Sequence, residues 1–552
     1  MRNLFVTVAA SALIAGCGQN TDAPVDVEDT VERGGEAAIG SAQRALADLG
    51  NITLRGGDAS EAADALAAMF LDTSGSGRIS FETSDTNGDG ATFSGVTIDI
   101  PGGNSDGDGA QLLVGTLELD GLDMVDGGAS FSKLSLDAIE IVPNDPGDAE
   151  DGTLTISNIE VLNPSPALAS WFASLGGTGE PAEFPGLAEV AFDSMAMSDM
   201  AFDLSDGSDN VAFNLAGLQF GGASETGLAL ARVEGITLDA ESKGDDPVSL
   251  RLGSLAMTGV GDKIVSAIEA GIASGVSDMA ESSQFLEAVY ANPLEPGYDT
   301  ITVDDLAFDI GGVAFALPGA NSMVVRDADG VATGTETEEF TATLSADPEA
   351  GKSGAELAGA LGMMGYEEIK FTAAGKTQID QETDTVVYDA AENFYAIEDG
   401  FTLRFGADMS GISEYSSKLA AMDLSDPSGD PAMFQEAASA LSFKALTVQL
   451  EDDSIVDRGF NLYAAQSGED PGEARQQAIN MMQLAPMMAG GMGVDMSIAT
   501  EFSTAIAAFL TDPGTLTISL DPEKPLSVAA FSEMKDPSMI TKDFLGLSVT
   551  HE

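Results

Sequence analysis

Residues 90–99, GATFSGVTID, and residues 128–137, GASFSKLSLD, align almost residue for residue, and the spacing of their apolar positions decides the fold. Written φ-x-φ-x-x-φ-x-φ, with φ apolar, the pattern alternates with period two, slips by one residue, and alternates again. In a strand, side chains two apart share a face, and one extra residue sends the next set to the other face unless the strand bends or bulges. The pattern therefore predicts bent or bulged antiparallel strands whose apolar face stays inward through a curve. Two short strands meeting at a corner would give the same slip.

Further copies begin at Leu117, Leu154, Met195, Phe213, Phe308 and Leu441. With Ala91 and Ala129 opening the first two, the starts keep no fixed period, which disfavours a regular solenoid and favours an irregular meander. Connectors rich in Asp, Asn, Gly and Pro, at 104–109 and 143–152, fit between such strands.

Apolar residues at helical spacing interrupt the sheet at 37–49, 60–71, 166–175, 262–291, 354–364, 430–440 and 453–508. The last of these is expected to break at Pro471, Pro486 and Gly490-Gly491. Later strands are expected at 302–315, 340–344, 368–374, 385–388 and 401–405, with a final strand at 515–520 and a short tail. The expected fold is predominantly β with helical insertions (α+β), an irregular antiparallel meander in two halves. The expected organisation is a leader at 1–16, a flexible acidic tether at 17–36, a β-rich domain with N-terminal helices at 37–261, a helical connector at 262–292, and a second β-rich domain with a C-terminal helical region at 293–552.

The chain has 552 residues, 44% of them hydrophobic, enough for substantial cores despite 91 Asp and Glu against 22 Lys and Arg. A net charge of −69 repels nucleic acid and anionic head groups, and reads as a solvated acidic exterior suited to saline surroundings. Cys17 is the single cysteine and His551 the single histidine. These counts exclude an intrachain disulfide, histidine-based triads, and zinc sites built on several thiolates or imidazoles. Carboxylates are too plentiful for any pair to signal acid and base chemistry, and the expectation is a non-enzymatic protein.

Arg2 opens the chain, an apolar run covers 4–14, and Ile14-Ala15-Gly16 precede Cys17. The run is shorter than the ~20 residues that span a bilayer. The start resembles the lipobox of bacterial lipoproteins. That resemblance implies removal of 1–16, acylation of Cys17 and a protein anchored to the membrane by lipid. Gly18 stands where the family's inner-membrane retention signal has Asp, which implies the outer membrane, facing the periplasm. The acidic tether after Cys17 reaches at most about 60 to 70 Å when fully extended.

Asp85, Asn87 and Asp89, followed by Gly90, match the start of a calcium loop, in which oxygen ligands at alternate positions surround the ion. The twelfth position, which should supply a bidentate Glu, is Val96, and the flanks read as strands. A hairpin turn is the favoured reading; Asp106 and Asp108 would add ligands if the two loops met. Gly351-Lys352-Ser353 sits between a strand and a helix, as in a phosphate-binding loop, but Ala346 replaces that motif's first glycine. Met481, Met482, Met487, Met488, Met492 and Met496 offer thioethers for cuprous ion, an adaptable lining for an apolar ligand, or simply core packing. Trp171, in PALASWFASL, reads as core.

The strands TLELDGLDM (116–124) and TLTISNIEV (153–161) resemble those of AsmA-type envelope proteins, whose β-rich bodies form apolar grooves associated with lipid movement or outer-membrane homeostasis. The C-terminal region, ALTVQLEDDSIVDRGF (445–460) through PGTLTISLDPEKPL (513–526), is similar to the tails of uncharacterised alphaproteobacterial envelope proteins. The expected function is binding of an apolar or lipid-like ligand in a curved groove. The alternative is a structural or surface interaction lipoprotein with acidic, calcium-responsive loops.

Overall fold

A computed structural model describes residues 52–71, 77–100, 110–143, 153–177, 182, 185, 190–205, 209–224, 226–242, 244, 246–262, 264–265, 294–420, 436–491, 495–533 and 539–552. Cys17, the tether, the expected helix at 37–49, Asp106, Asp108 and most of the expected connector at 262–292 lie outside them. The described chain is mostly antiparallel strand with helical insertions, and it divides into two compact units.

The first unit comprises Gly35–Ser266 with Thr300–Ile310. Its strands are β1 (Ile79–Ser80), β2 (Thr83–Asn87), β3 (Gly90–Ile100), β4 (Ala110–Asp120), β5 (Asp123–Val125), β6 (Gly128–Ser130), β7 (Lys133–Pro143), β8 (Thr153–Leu162), β9 (Phe192–Ser205), β10 (Asp209–Ala223), β11 (Gly227–Ser242), β12 (Val248–Gly261) and β13 (Thr300–Ile310). Strands β3, β4 and β7 to β13 form one antiparallel ladder in that order, with β1 and β2 both on β3. Strands β5 and β6 pair separately. Strand β13, which the sequence groups with the second half, pairs along β12 from Thr300 to Ile310.

The phase slip has a single structural origin. Ser94 pairs with Thr116 and Val96 with Val114, so Gly95 and Gly115 face each other outside the pairing. The same gap follows at Ala138, Ser157, Asp199, Ala216, Gly235, Gly253 and Asp305, one residue per strand across nine strands. Because every strand carries the extra residue at the same level, the register on either side is unchanged. Alternate members of the row, Gly95, Ala138, Asp199, Gly235 and Asp305, have φ between 50° and 62°; the others do not take positive φ. An unpaired residue in this left-handed conformation kinks the strand, as in a glycine bulge, and lets the next apolar residue return to the same face. Phe93 and Val96, on either side of the gap, are both 1% exposed. A second gap lies six residues away in β9 to β12, at Asp193, Gly222, Ala229 and Gly259. There the positive φ falls on Gly222 and Gly259, the strands that lack it in the first row.

The same spacing recurs in five further copies, which begin at Leu112, Leu134, Ala231, Leu250 and Ile301, each centred on the same row. Conversely, three expected bent strands prove to be breaks between strands. The copy at Leu117 runs from β4 into β5 across Gly121, whose φ is 65°; the copy at Ala129 runs from β6 into β7. The copy at Phe308 crosses Gly311 and Gly312, both with positive φ, which end one strand before another begins.

One end of this apolar face is closed by helices α1 (Ala62–Ala68) and α2 (Pro166–Ser174), the first within the expected 60–71 segment. Pro166 opens α2 with a preset φ, and the Ser165 hydroxyl accepts from the Leu168 amide. Phe93, Leu119, Phe131 and Val161 lie in the core with Ala65 and Ala169 of the two helices. Phe81 meets the Phe93 ring edge-on at 4.8 Å. Trp171 packs with Phe172 against Leu168, Val190 and Phe192.

The second unit's described part begins at Leu294 and, after β13, continues from Gly311 to Glu552. Its strands are β14 (Val313–Arg326), β15 (Ala332–Ala346), β16 (Glu368–Asp380), β17 (Thr385–Tyr388), β18 (Phe394–Ile397), β19 (Phe401–Ser410), β20 (Ser442–Asp452), β21 (Thr515–Leu520), β22 (Leu526–Ser527) and β23 (Leu547–His551). The ladder runs β14, β15, β16, then β17 and β18 side by side, then β19, β20, β21 and β23. Here slips are local: register shifts by one near Arg326, between Thr337 and Phe340, and at Lys444, the extra residue in the copy beginning at Leu441.

Its helices are α3 (Lys352–Met364), α4 (Ile412–Ala420), α5 (Ile455–Ser467), α6 (Pro471–Gly491), α7 (Met496–Thr511), α8 (Val528–Glu533) and α9 (Lys542–Leu545). Helix α6 runs through Pro486 rather than breaking there. Proline removes one bond of the ladder and crowds the preceding turn. Its neighbours Leu484, Ala485, Met487 and Met488 favour helix strongly enough to carry the turn across it. The expected short tail after 520 instead holds β22 and β23, and β23 pairs with β21 from Leu547 to His551.

Candidate functional site

One face of the first ladder is continuously apolar. On β9 to β13 it presents Met197, Met200, Leu218, Val233, Leu255 and Phe308, all half-buried, beside buried neighbours such as Leu252 and Leu306. The kinks keep this face apolar on both sides of the row. The opposite face is polar. Asn158 Nδ2 donates to Ser135 Oγ at 2.9 Å and to Asp137 Oδ1 at 2.8 Å, Ser254 Oγ donates to Asp304 Oδ2 at 2.7 Å, and Arg251 pairs with Asp305. Polar groups on one side thus pair with one another, while the other side presents hydrocarbon and thioether.

Asp85 and Asn87 lie on exposed β2, and Asn87 pairs with Gly90 to close a two-residue turn of Gly88 and Asp89. Gly88, with φ of 66°, takes the left-handed conformation that such a hairpin requires. The Asp89 carboxylate faces inward, where its Oδ2 accepts from the Gly57 amide at 2.9 Å, and its carbonyl accepts from Leu122. The turn therefore ties the segment before α1 to the ladder. Among the described residues no group of three acidic, histidine or cysteine side chains converges as for a metal ion.

The Gly351-Lys352-Ser353 segment does open helix α3, but the Gly354 amide already donates to the Gly311 carbonyl at 2.9 Å. That bond takes up a helix-start N–H that a phosphate would need. Of the methionine cluster, Met481, Met482, Met487 and Met488 lie on α6 and Met496 opens α7, whereas Met492 lies outside the described residues. Met482 is half-buried, whereas Met481, Met487 and Met496 project to solvent. His551, excluded from pocket chemistry by its place in the sequence, sits in β23 with its ring edge-on to Phe509, centroids 6.1 Å apart.

The signal that finds the whole face is the φ-x-φ-x-x-φ-x-φ spacing itself, which all nine strands of the row carry. A family model described as an uncharacterized protein matches residues 395–552, within the second unit. No curated protein and no solved structure matches the chain.

Proposed function

We propose that this is a non-enzymatic protein of the bacterial cell envelope, anchored by lipid on Cys17 to the periplasmic face of the outer membrane, whose kinked sheet holds an apolar or lipid-like ligand. The observation that carries this reading is the nine-strand row of aligned unpaired residues. It keeps one face of a long ladder continuously apolar through a bend, which a flat sheet with a solvated face does not need. No helix among the described residues is long and apolar enough to cross a membrane, so the proposed attachment rests on the acylated cysteine.

The test is mass spectrometry of molecules bound to natively extracted protein, paired with quenching of a fluorescent fatty acid by a Cys17→Ser variant. Bound lipid, and a loss of quenching in Leu218→Gln, are expected. A protein that carries no apolar molecule and leaves the probe unquenched would refute the reading. Cys17→Ser should also reduce the protein's sedimentation with vesicles prepared from its own cells.

A further inference from the structure

Helix α6 changes character along its outward face. Its exposed positions begin as Gly472, Glu473, Gln476, Gln477 and Asn480 and end as Met481, Gln483, Leu484 and Met487. Spaced three apart, Met481, Leu484 and Met487 form one stripe. They are 67%, 56% and 78% exposed, and Met496, at the start of α7, is 61% exposed. Helices α6 and α7 pack against each other, so these side chains gather at the end where the two helices are joined. Ile479 is buried on the opposite side of α6 from Met481 and Leu484, so the stripe is not the packed face.

The second observation is charge. In a chain of net charge −69 with one residue in five ionisable, residues 476–494 contain no charged side chain. A cationic partner would choose the acidic surface elsewhere, and a second copy would bring the same excess of negative charge against it. An uncharged hydrocarbon layer is the occupant that this tip fits, because only there does approach incur no electrostatic penalty while the exposed apolar area leaves water.

We infer that the tip of the α6–α7 pair docks on the bilayer and buries Met481, Leu484, Met487 and Met496 among lipid chains. This contact is separate from Cys17 and from the sheet face. Unbranched thioether side chains adapt to a fluid layer as they do to irregular apolar surfaces.

The experiment uses the full chain carrying Cys17→Ser, so that no acyl anchor contributes, in flotation with phosphatidylcholine vesicles. Binding is expected, weaker when phosphatidylglycerol is added and restored by salt. Adding Met481→Gln, Leu484→Gln and Met487→Gln together should lower the partition coefficient by roughly tenfold or more, since three apolar side chains lose their burial. Met539→Gln, at another exposed methionine, should leave it unchanged. Circular dichroism of the triple variant should match the parent, because the three positions are exposed. Failure of the parent to float, or equal flotation of the triple variant, overturns the inference. So does a concentration-dependent dimer that the triple substitution abolishes without any vesicle binding. Fatty-acid quenching reads the sheet face and is expected to survive the triple substitution, which separates this contact from the ligand reading.

Discussion

The two ladders treat an extra residue in opposite ways. In the first unit every strand from β3 onward in the ladder carries one at the same level, and the register is undisturbed from one edge to the other. In the second unit single strands carry one, and each shifts the pairing by one residue where it occurs. A shared irregularity becomes part of the sheet's geometry, whereas an isolated one remains a bulge and re-aims only its neighbours. The first arrangement makes each strand depend on its neighbours; the second confines the consequence.

That difference can be broken by substitution. The largest effect should come from Phe93→Ala, which empties the core beneath the kink row and should lower unfolding stability by about 3–5 kcal/mol, read from the denaturant midpoint. Next is Gly235→Ala. Gly235 has φ of 62°, and an added Cβ would stand 2.5 Å from the Ala216 Cβ across the row. Strain and overpacking together should cost about 2–3 kcal/mol, and an unchanged midpoint would mean that the row yields freely.

In the second unit the corresponding probe is electrostatic. Burial alone would raise the pKa of Glu501, but the hydrogen bond from Lys542, the bond from the Val549 amide and the attraction of the ammonium outweigh it and hold the carboxyl below its ordinary value. Lys542 Nζ lies 2.5 Å from Glu501 Oε2. With the folded-state pKa depressed, the contribution is present above the ordinary glutamate range near ~4.3 and disappears as pH falls through the lower folded value. Glu501→Gln should cost about 1 kcal/mol at neutral pH, given the pair's partial exposure to water, and flatten that acid-side loss. A wild-type acid limb unaltered by the substitution would contradict the assignment.

Smaller effects sharpen the contrast. Ala138 holds φ of 55° without being glycine, so Ala138→Gly should raise stability by up to about 1 kcal/mol, visible as a higher melting temperature. Lys444, the isolated extra residue of β20, is mostly exposed and reaches Asp408. Lys444→Ala should leave the denaturant midpoint essentially unchanged. A loss as large as that at Gly235 would erase the distinction between shared and isolated slips.

The period-two pattern with its slip is legible in the sequence because apolar side chains must return to one face. Copies at Ala91, Leu154, Met195 and Phe213 mark true kinks. At Phe308 the same spacing spans Gly311 and Gly312, both with positive φ, and separates two strands. Around Leu112 and Val114 the interposed Leu113 hides the alternation. Strand β23 was not legible: LSVTH is short, and its partner β21 lies beyond two intervening helices. Of the candidate sites, the turn at Asp85, Asn87 and Asp89 was readable as a hairpin from Asn-Gly-Asp-Gly chemistry. The inward bond from Gly57 to Asp89 depends on contacts that no local pattern encodes.

Strict alternation of residues with and without positive φ along the row has an evolutionary consequence. A single strand inserted into the middle of the ladder would set two like conformations side by side, while an inserted hairpin would preserve the order. Growth or shrinkage of this unit by internal duplication should therefore proceed two strands at a time, and related chains should differ in strand number by even steps.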